Sequence, residues 1–119
     1  MDIFCKIINN EIPSYTIYED EIVKVILDVN PNSTGHSLII PKKHYKDLFD
    51  IDNNTLLHIN IISREIAKLL IEKLNCDGIT LAENNGICQE VKHYHLHLIP
   101  KYKEDLDLTI EETYNKIIK

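Results

Sequence analysis

Between Val91 and Pro100 the chain reads Val-Lys-His-Tyr-His-Leu-His-Leu-Ile-Pro, and this alternation of imidazoles with apolar side chains is its most constraining feature. In an extended strand, alternate residues share a face. His93, His95 and His97 therefore project to one side. Tyr94, Leu96 and Leu98 project to the other, where they need an apolar partner. Three imidazoles along one strand face are a poor packing solution, because each carries a polar nitrogen that needs a partner when buried. The strand reads as a site on one face and a core on the other.

The partner for the apolar face is a long helix over residues 53–75. Leu56, Ile59, Ile62, Ile66, Leu69, Leu70 and Leu74 recur there at helical spacing. Asp52 or Asn53 can cap its start, and Asp77-Gly78 is expected to stop it. A short helix is expected over residues 2–9, with Phe4 and Ile7 or Ile8 inward. Strands over 14–19 and 22–28 flank an acidic turn at Asp20-Glu21. Asn30 to Gly35 is rich in turn formers. A third strand over 36–41, a short helical segment over 42–50, a fourth strand over 79–83, a loop over 84–88 and a fifth strand over 91–99 follow. A C-terminal helix over 109–118 opens on a Thr109/Glu112 capping box. Strands grouped around one long helix by short links predict an α+β domain with an antiparallel sheet of about five strands. The 119 residues suit one domain, 1–119.

Composition narrows the function classes. Apolar residues make up 44% of the chain, enough for one core. No apolar run is long enough to span a bilayer, and the N-terminal residues lack the pattern of a signal peptide. Cys5, Cys76 and Cys88 are an odd, scattered set, as expected of a reducing, cytoplasmic compartment. The net charge of −6 argues against a nucleic-acid or membrane partner. Backbone amides and imidazoles can still hold a small phosphate in a local pocket. At the histidine row two chemistries stand open. Imidazoles are common zinc ligands, but His93 and His97 would lie about 13 Å apart in a straight strand, so all three on one ion would need a bend. A neutral imidazole, with an unperturbed pKa of about 6.5, is also a good nucleophile toward phosphorus, and its neighbours can donate hydrogen bonds to the phosphate oxygens.

The segment His93-Tyr94-His95-Leu96-His97-Leu98-Ile99, with Gln89 and Val91 before it, resembles the signature of the histidine triad (HIT) family. The likeness continues in order through Ile3-Phe4-Cys5-Lys6-Ile7-Ile8, Glu11-Ile12-Pro13, Tyr18-Glu19-Asp20, Leu27-Asp28-Val29-Asn30-Pro31, Gly35 to His44 and Asn84-Asn85-Gly86. It covers the chain to about Tyr102 and is nearest the small nucleoside phosphoramidase branch. The resemblance implies that Ile3, Phe4 and Ile7 line a base pocket. Asp28 would bind the ribose hydroxyls with Val29 beside it. Asn84 would sit near ribose or phosphate, and Gln89 in a phosphate loop. His95 would be the nucleophile and His97 the phosphate contact, with His93 and His44 as orienting groups behind them. His36 and His58 are given no role.

The implied reaction is hydrolysis of a nucleoside 5′-phosphoramidate or related adenylate through a nucleotidyl-histidine, with a purine nucleotide as partner and no cofactor required. Hydrolysis of dinucleoside polyphosphates, and nucleotide or metal binding without turnover, are the alternatives. Relatives pair as homodimers through the long helix and adjoining strand, extending the sheet. Leu57, Ile61, Leu70 and Ile71 beside the main stripe are expected to serve that surface. The family's structural zinc site would fall on Cys5, His44 and His93. Asp2 stands where many relatives have a further cysteine, which weakens that site without removing it. Cys88 replaces the usual glycine, and its Cβ can restrict backbone approach to a phosphate. Glu90 stands at the entrance to the triad, where a carboxylate would repel further phosphates and attract an amine. By strict alternation it has the wrong parity to face the histidines, so it reaches them only if the strand begins after it.

Overall fold

The apolar period of the long segment forms helix α2 (Asn53–Leu74) in a computed structural model that describes residues 2–119. Asp52 caps its start by accepting from the Thr55 N–H at 2.7 Å. Its end is set by Asn75, not by Asp77-Gly78. Asn75 turns left-handed (φ 52°) while its N–H still bonds the Ile71 carbonyl, a conformation that asparagine tolerates. Ile59, Ile62, Ile66, Leu70 and Leu74 form the buried stripe. Leu70 is fully buried, so it belongs to the core and not to an outer surface.

The strands β1 (Thr16–Glu19), β2 (Val23–Leu27), β3 (Ser37–Pro41), β4 (Gly78–Ala82) and β5 (Leu96–Lys101) form one antiparallel sheet in the order β1-β2-β3-β5-β4. Its two faces carry separate cores. On one, Val23, Val25, Ile39, Tyr94, Leu96 and Leu98 pack on α2. On the other, Ile26, Leu38 and Ile40 pack on Phe4 and Ile7 of helix α1 (Ile3–Ile8). The inward residue of α1 is thus Ile7, while Ile8 is only partly buried. Helix α3 (Ile110–Ile118) opens on the expected Thr109/Glu112 capping box. Among the described residues no helix is long and apolar enough to cross a membrane.

Two local departures matter for the site. Residues 42–50 do not form a helix. Asp47 accepts from the N–H groups of Phe49 and Asp50, and Asp50 from that of Lys46, so side chains take the amides that a helix would have used. The triad strand also starts later than its pattern implies, with β5 beginning at Leu96. His93 and His95 precede the ladder, yet the alternation of faces persists: Tyr94 joins the α2 core, while His93 and His95 meet Phe4 edge-on. Gly35 (φ 90°) completes the turn that leads into β3, and a Cβ there would collide with Leu74 of α2.

Candidate active site

The three histidines occupy three different environments. His93 is fully buried. Its Nε2–H donates to the Pro41 carbonyl at 2.9 Å, which leaves Nδ1 with a lone pair. That lone pair faces Asp2 Oδ2 at 3.3 Å and Cys5 Sγ at 3.5 Å. His95 donates from Nδ1 to the His93 carbonyl at 2.8 Å, so its Nε2 carries no hydrogen in the neutral ring. Burial pushes the pKa of both rings down. His97 Nδ1 lies 2.9 Å from His36 Nε2. Burial, then the neighbouring His95 and His36 rings, lower the pKa of His97 to about 4.

His36 was not expected in the site and is part of it. The Asn32 N–H donates to His36 Nδ1 at 3.0 Å. His36 Nε2 must then carry the ring's hydrogen and donate it to His97 Nδ1. His97 in turn presents Nε2–H as a free donor. A chain of two hydrogen bonds therefore fixes the tautomer of both rings. His36 shares the parity of Leu38, which pairs with His97 across β3 and β5. That parity is visible in the sequence; the register that brings the rings together is not. Asp28 Oδ2 lies 3.6 Å from His36 Nε2, and its Oδ1 accepts from the Asn30 N–H. His58 bonds Asp20 and takes no part.

Two adjoining clefts open onto His95 and His97. The first, of about 270 Å³, is mostly apolar. It is walled by Ile3, Phe4, Ile7 and Val29 and reaches Asp28 and Glu90. The second, of about 340 Å³, is polar and lined by Asp28, Asn30, Asn32, Asn84, Cys88 and Glu90 beside the histidines. Glu90 reaches the site because the ladder starts only at Leu96, so the parity of a regular strand does not apply to it. No lysine or arginine is among the described residues lining either cleft. Gln89 is not brought to the site. The 3₁₀ turn Gly86–Cys88 turns it inward, where it donates to the Lys46 carbonyl and its Oε1 is buried without a partner.

Among the described residues, two side-chain groups bring potential metal ligands within 4.8 Å of one another: Asp2, Cys5, His44 and His93, and Asp28, His36 and His97. The first is rich in lone pairs. His93 Nδ1, Asp2 Oδ2 and Cys5 Sγ converge, and His44 Nε2 lies 3.1 Å from Asp2 Oδ2. A divalent ion suits that donor set, because His44 is half exposed and its bond to the Lys92 carbonyl is replaceable by water. The second group does not suit one. A metal on His36 Nε2 would force the hydrogen onto Nδ1, where it would meet the Asn32 N–H, donor against donor.

Comparison with known proteins gives the family and the fold. The HIT domain model matches residues 9–104. A HIT-like protein of Methanocaldococcus jannaschii is 44% identical, over 88% of this chain and 82% of its own. Adenosine 5′-monophosphoramidase HNT1 of Saccharomyces cerevisiae is 42% identical, over 91% of this chain and 67% of its own. The crystal structure of a zinc-bound histidine triad protein from Mycobacterium smegmatis superposes with a TM-score of 0.90 at 35% identity, covering 98% of this chain and 89% of that one.

Proposed function

The chain belongs to the HIT domain family, and from that premise we propose that it is a hydrolase of nucleoside 5′-phosphoramidates or related adenylates. The observation that carries this reading is the tautomer of His95. With Nδ1 donating to the His93 carbonyl, the bare Nε2 is a neutral nucleophile held at the junction of the two clefts. Phe4 and Ile7 receive the base, and Asp28 binds the ribose hydroxyls with Val29 at the rim. His97 donates from Nε2 to a phosphate oxygen as charge shifts onto it.

The reaction is a double displacement. His95 Nε2 attacks the α-phosphorus of a phosphoramidate whose nitrogen has taken a proton from solvent, the phosphorus–nitrogen bond breaks, and the amine leaves with that proton. Water then cleaves the nucleotidyl-imidazole, giving the nucleoside monophosphate and free His95. A zinc held by Asp2, Cys5, His44 and His93 would brace α1 against the row, and no step passes through it. The outer face of α2 (Leu57, Ile61, Ile71) and the edge strand β4 (Leu81) leave large apolar side chains exposed. They support pairing of two copies through this helix and strand, which light scattering at micromolar concentration tests.

An amine leaving group suits the polar cleft better than further phosphates do, because its charged side chains are the carboxylates of Asp28 and Glu90. A like-charge contact at ~4 Å costs up to about 4 kcal/mol at an effective dielectric of 20, and less under solvent screening. The test compares adenosine lysine-phosphoramidate with diadenosine tetraphosphate, products identified. The phosphoramidate is expected to be the better substrate, and Glu90→Gln to narrow the gap several-fold. A preference of the wild type for the tetraphosphate would defeat the substrate assignment. An unchanged ratio in Glu90→Gln would defeat only the role of Glu90.

A further inference from the structure

A lysine is buried in the smaller of the two cores. Lys24 is 4% exposed. It lies on the face of β2 that carries Ile26, opposite Ile40 of β3. Lysine is almost never this buried without a partner. Its Nζ donates to the Ile7 carbonyl at 3.1 Å and to Asn10 Oδ1 at 3.3 Å. Glu19, its cross-strand neighbour on β1, pairs instead with Lys42 at 2.8 Å. The Ile7 carbonyl belongs to the last turn of α1, where helical carbonyls lack partners and a cation is favoured. Asn10 follows in the left-handed region (φ 61°) and returns its N–H to the same carbonyl.

Helix α1 has six residues, too few to persist on local bonds alone. It is tied at both ends. Asp2 caps its N-terminus through the Cys5 N–H and turns its other oxygen to His93 and His44. Lys24 holds the C-terminus. Between the two ties stand Ile3, Phe4 and Ile7, the wall of the apolar cleft, while Lys24 itself lines neither cleft. We propose that Lys24 is a positioning residue for base recognition, its ammonium locking the C-terminal end of α1 so that Phe4 and Ile7 stand as a preformed wall. The proposal rests on the nucleotide-binding reading above. A preformed wall raises affinity by removing the ordering cost from the binding step. The lock therefore acts on ligands that carry a base and leaves the phosphate contacts of His97 untouched.

The test uses Lys24→Met, which keeps the aliphatic stem and removes the donor, and two probes, adenosine 5′-monophosphate and ribose 5-phosphate, titrated by calorimetry. Lys24→Met is expected to bind the nucleotide about five- to tenfold more weakly, the scale of one lost charge-assisted hydrogen bond partly recovered by relaxation, and to bind ribose 5-phosphate as the wild type does. Asn10→Ala should lose nucleotide selectively but less, and Lys24→Arg should restore most of the affinity. Equal weakening for both probes would reduce Lys24 to a general stabiliser and overturn the proposal. So would unchanged nucleotide affinity in a folded variant. If Lys24→Met does not fold, Asn10→Ala decides on the same two probes. A wild type that binds no adenosine 5′-monophosphate would remove the nucleotide reading and this proposal with it, whereas a wild type that binds it and a Lys24→Met that discriminates equally well remove only the proposal.

Discussion

The two ends of the histidine row are built from similar side chains and solve opposite problems. At the His93 end, Asp2, Cys5 and His44 surround a ring whose Nδ1 carries no hydrogen, since the one ring hydrogen sits on Nε2 and goes to the Pro41 carbonyl. Lone pairs exceed hydrogens there, and an ion or a proton suits the gap. At the His97 end, Asn32, His36 and His97 form a chain in which every lone pair meets a hydrogen. One end can hold a cation, and the other holds a tautomer. Proximity of ligand-type residues does not distinguish them; counting hydrogens does.

The largest effect that sharpens this contrast comes from His36. His36→Ala removes the hydrogen that keeps His97 a donor on the cleft side. It should lower kcat about a hundredfold, the scale of one lost hydrogen-bond donor to a developing oxyanion, with KM little changed and the circular dichroism spectrum intact. A mutant as fast as the wild type would break the tautomer chain as an explanation. The opposite end should respond to metal and not to turnover. Asp2→Cys replaces a hard ligand with a soft one and should tighten zinc binding by at least about tenfold, while kcat at saturating substrate stays within about twofold and chelation does not inhibit. Loss of activity on chelation, restored by zinc without any change in fold, would move the chemistry to the wrong end of the row.

A smaller effect is shared by both ends. His36, His93, His95 and His97 are all held below their ordinary pKa of 6.5, mainly by burial, with His97 at about 4. In the unfolded chain these rings take up protons near pH 6.5; in the folded chain they do so only at lower pH. The unfolded state thus binds more protons in between, and stability should fall as pH drops from about 6.5 toward 4, on the order of 1 kcal/mol per unit of displaced pKa for each ring. Thermal melts across that range, with proton uptake measured by calorimetry, check the sign. A melting temperature that is flat from pH 7 to pH 4 would contradict neutral rings at both ends.

The sequence exposed much of this arrangement because alternation is a local property. His93, His95 and His97 on one side and Tyr94, Leu96 and Leu98 on the other follow from period two, and the α2 stripe from its own period. The same logic failed where local bonding broke the period. Residues 42–50 were expected to be helical, but Asp47 and Asp50 take the amides. The resemblance, not the period, implies Gln89 at the phosphate, and the 3₁₀ turn points it at Lys46. His36 is given no role in the sequence because a single histidine at the start of a strand carries no signal until the β3–β5 register brings it to His97. Lys24 is given none for a related reason: an exposed lysine and a buried one are the same letter, and only the position of α1 makes the difference.

The proposed reaction bonds His95 Nε2 to phosphorus. Rapid quenching of the wild type during turnover of adenosine 5′-phosphoramidate at neutral pH, followed by mass spectrometry of its peptides, tests it most directly. An adenylyl group is expected on the peptide at His95, formed and lost at rates consistent with turnover. No such group is expected in His95→Ala, whose kcat should fall by at least about ten thousandfold while nucleotide binding stays within about tenfold. An adduct on Cys88 or His97, or undiminished hydrolysis by His95→Ala, would contradict it.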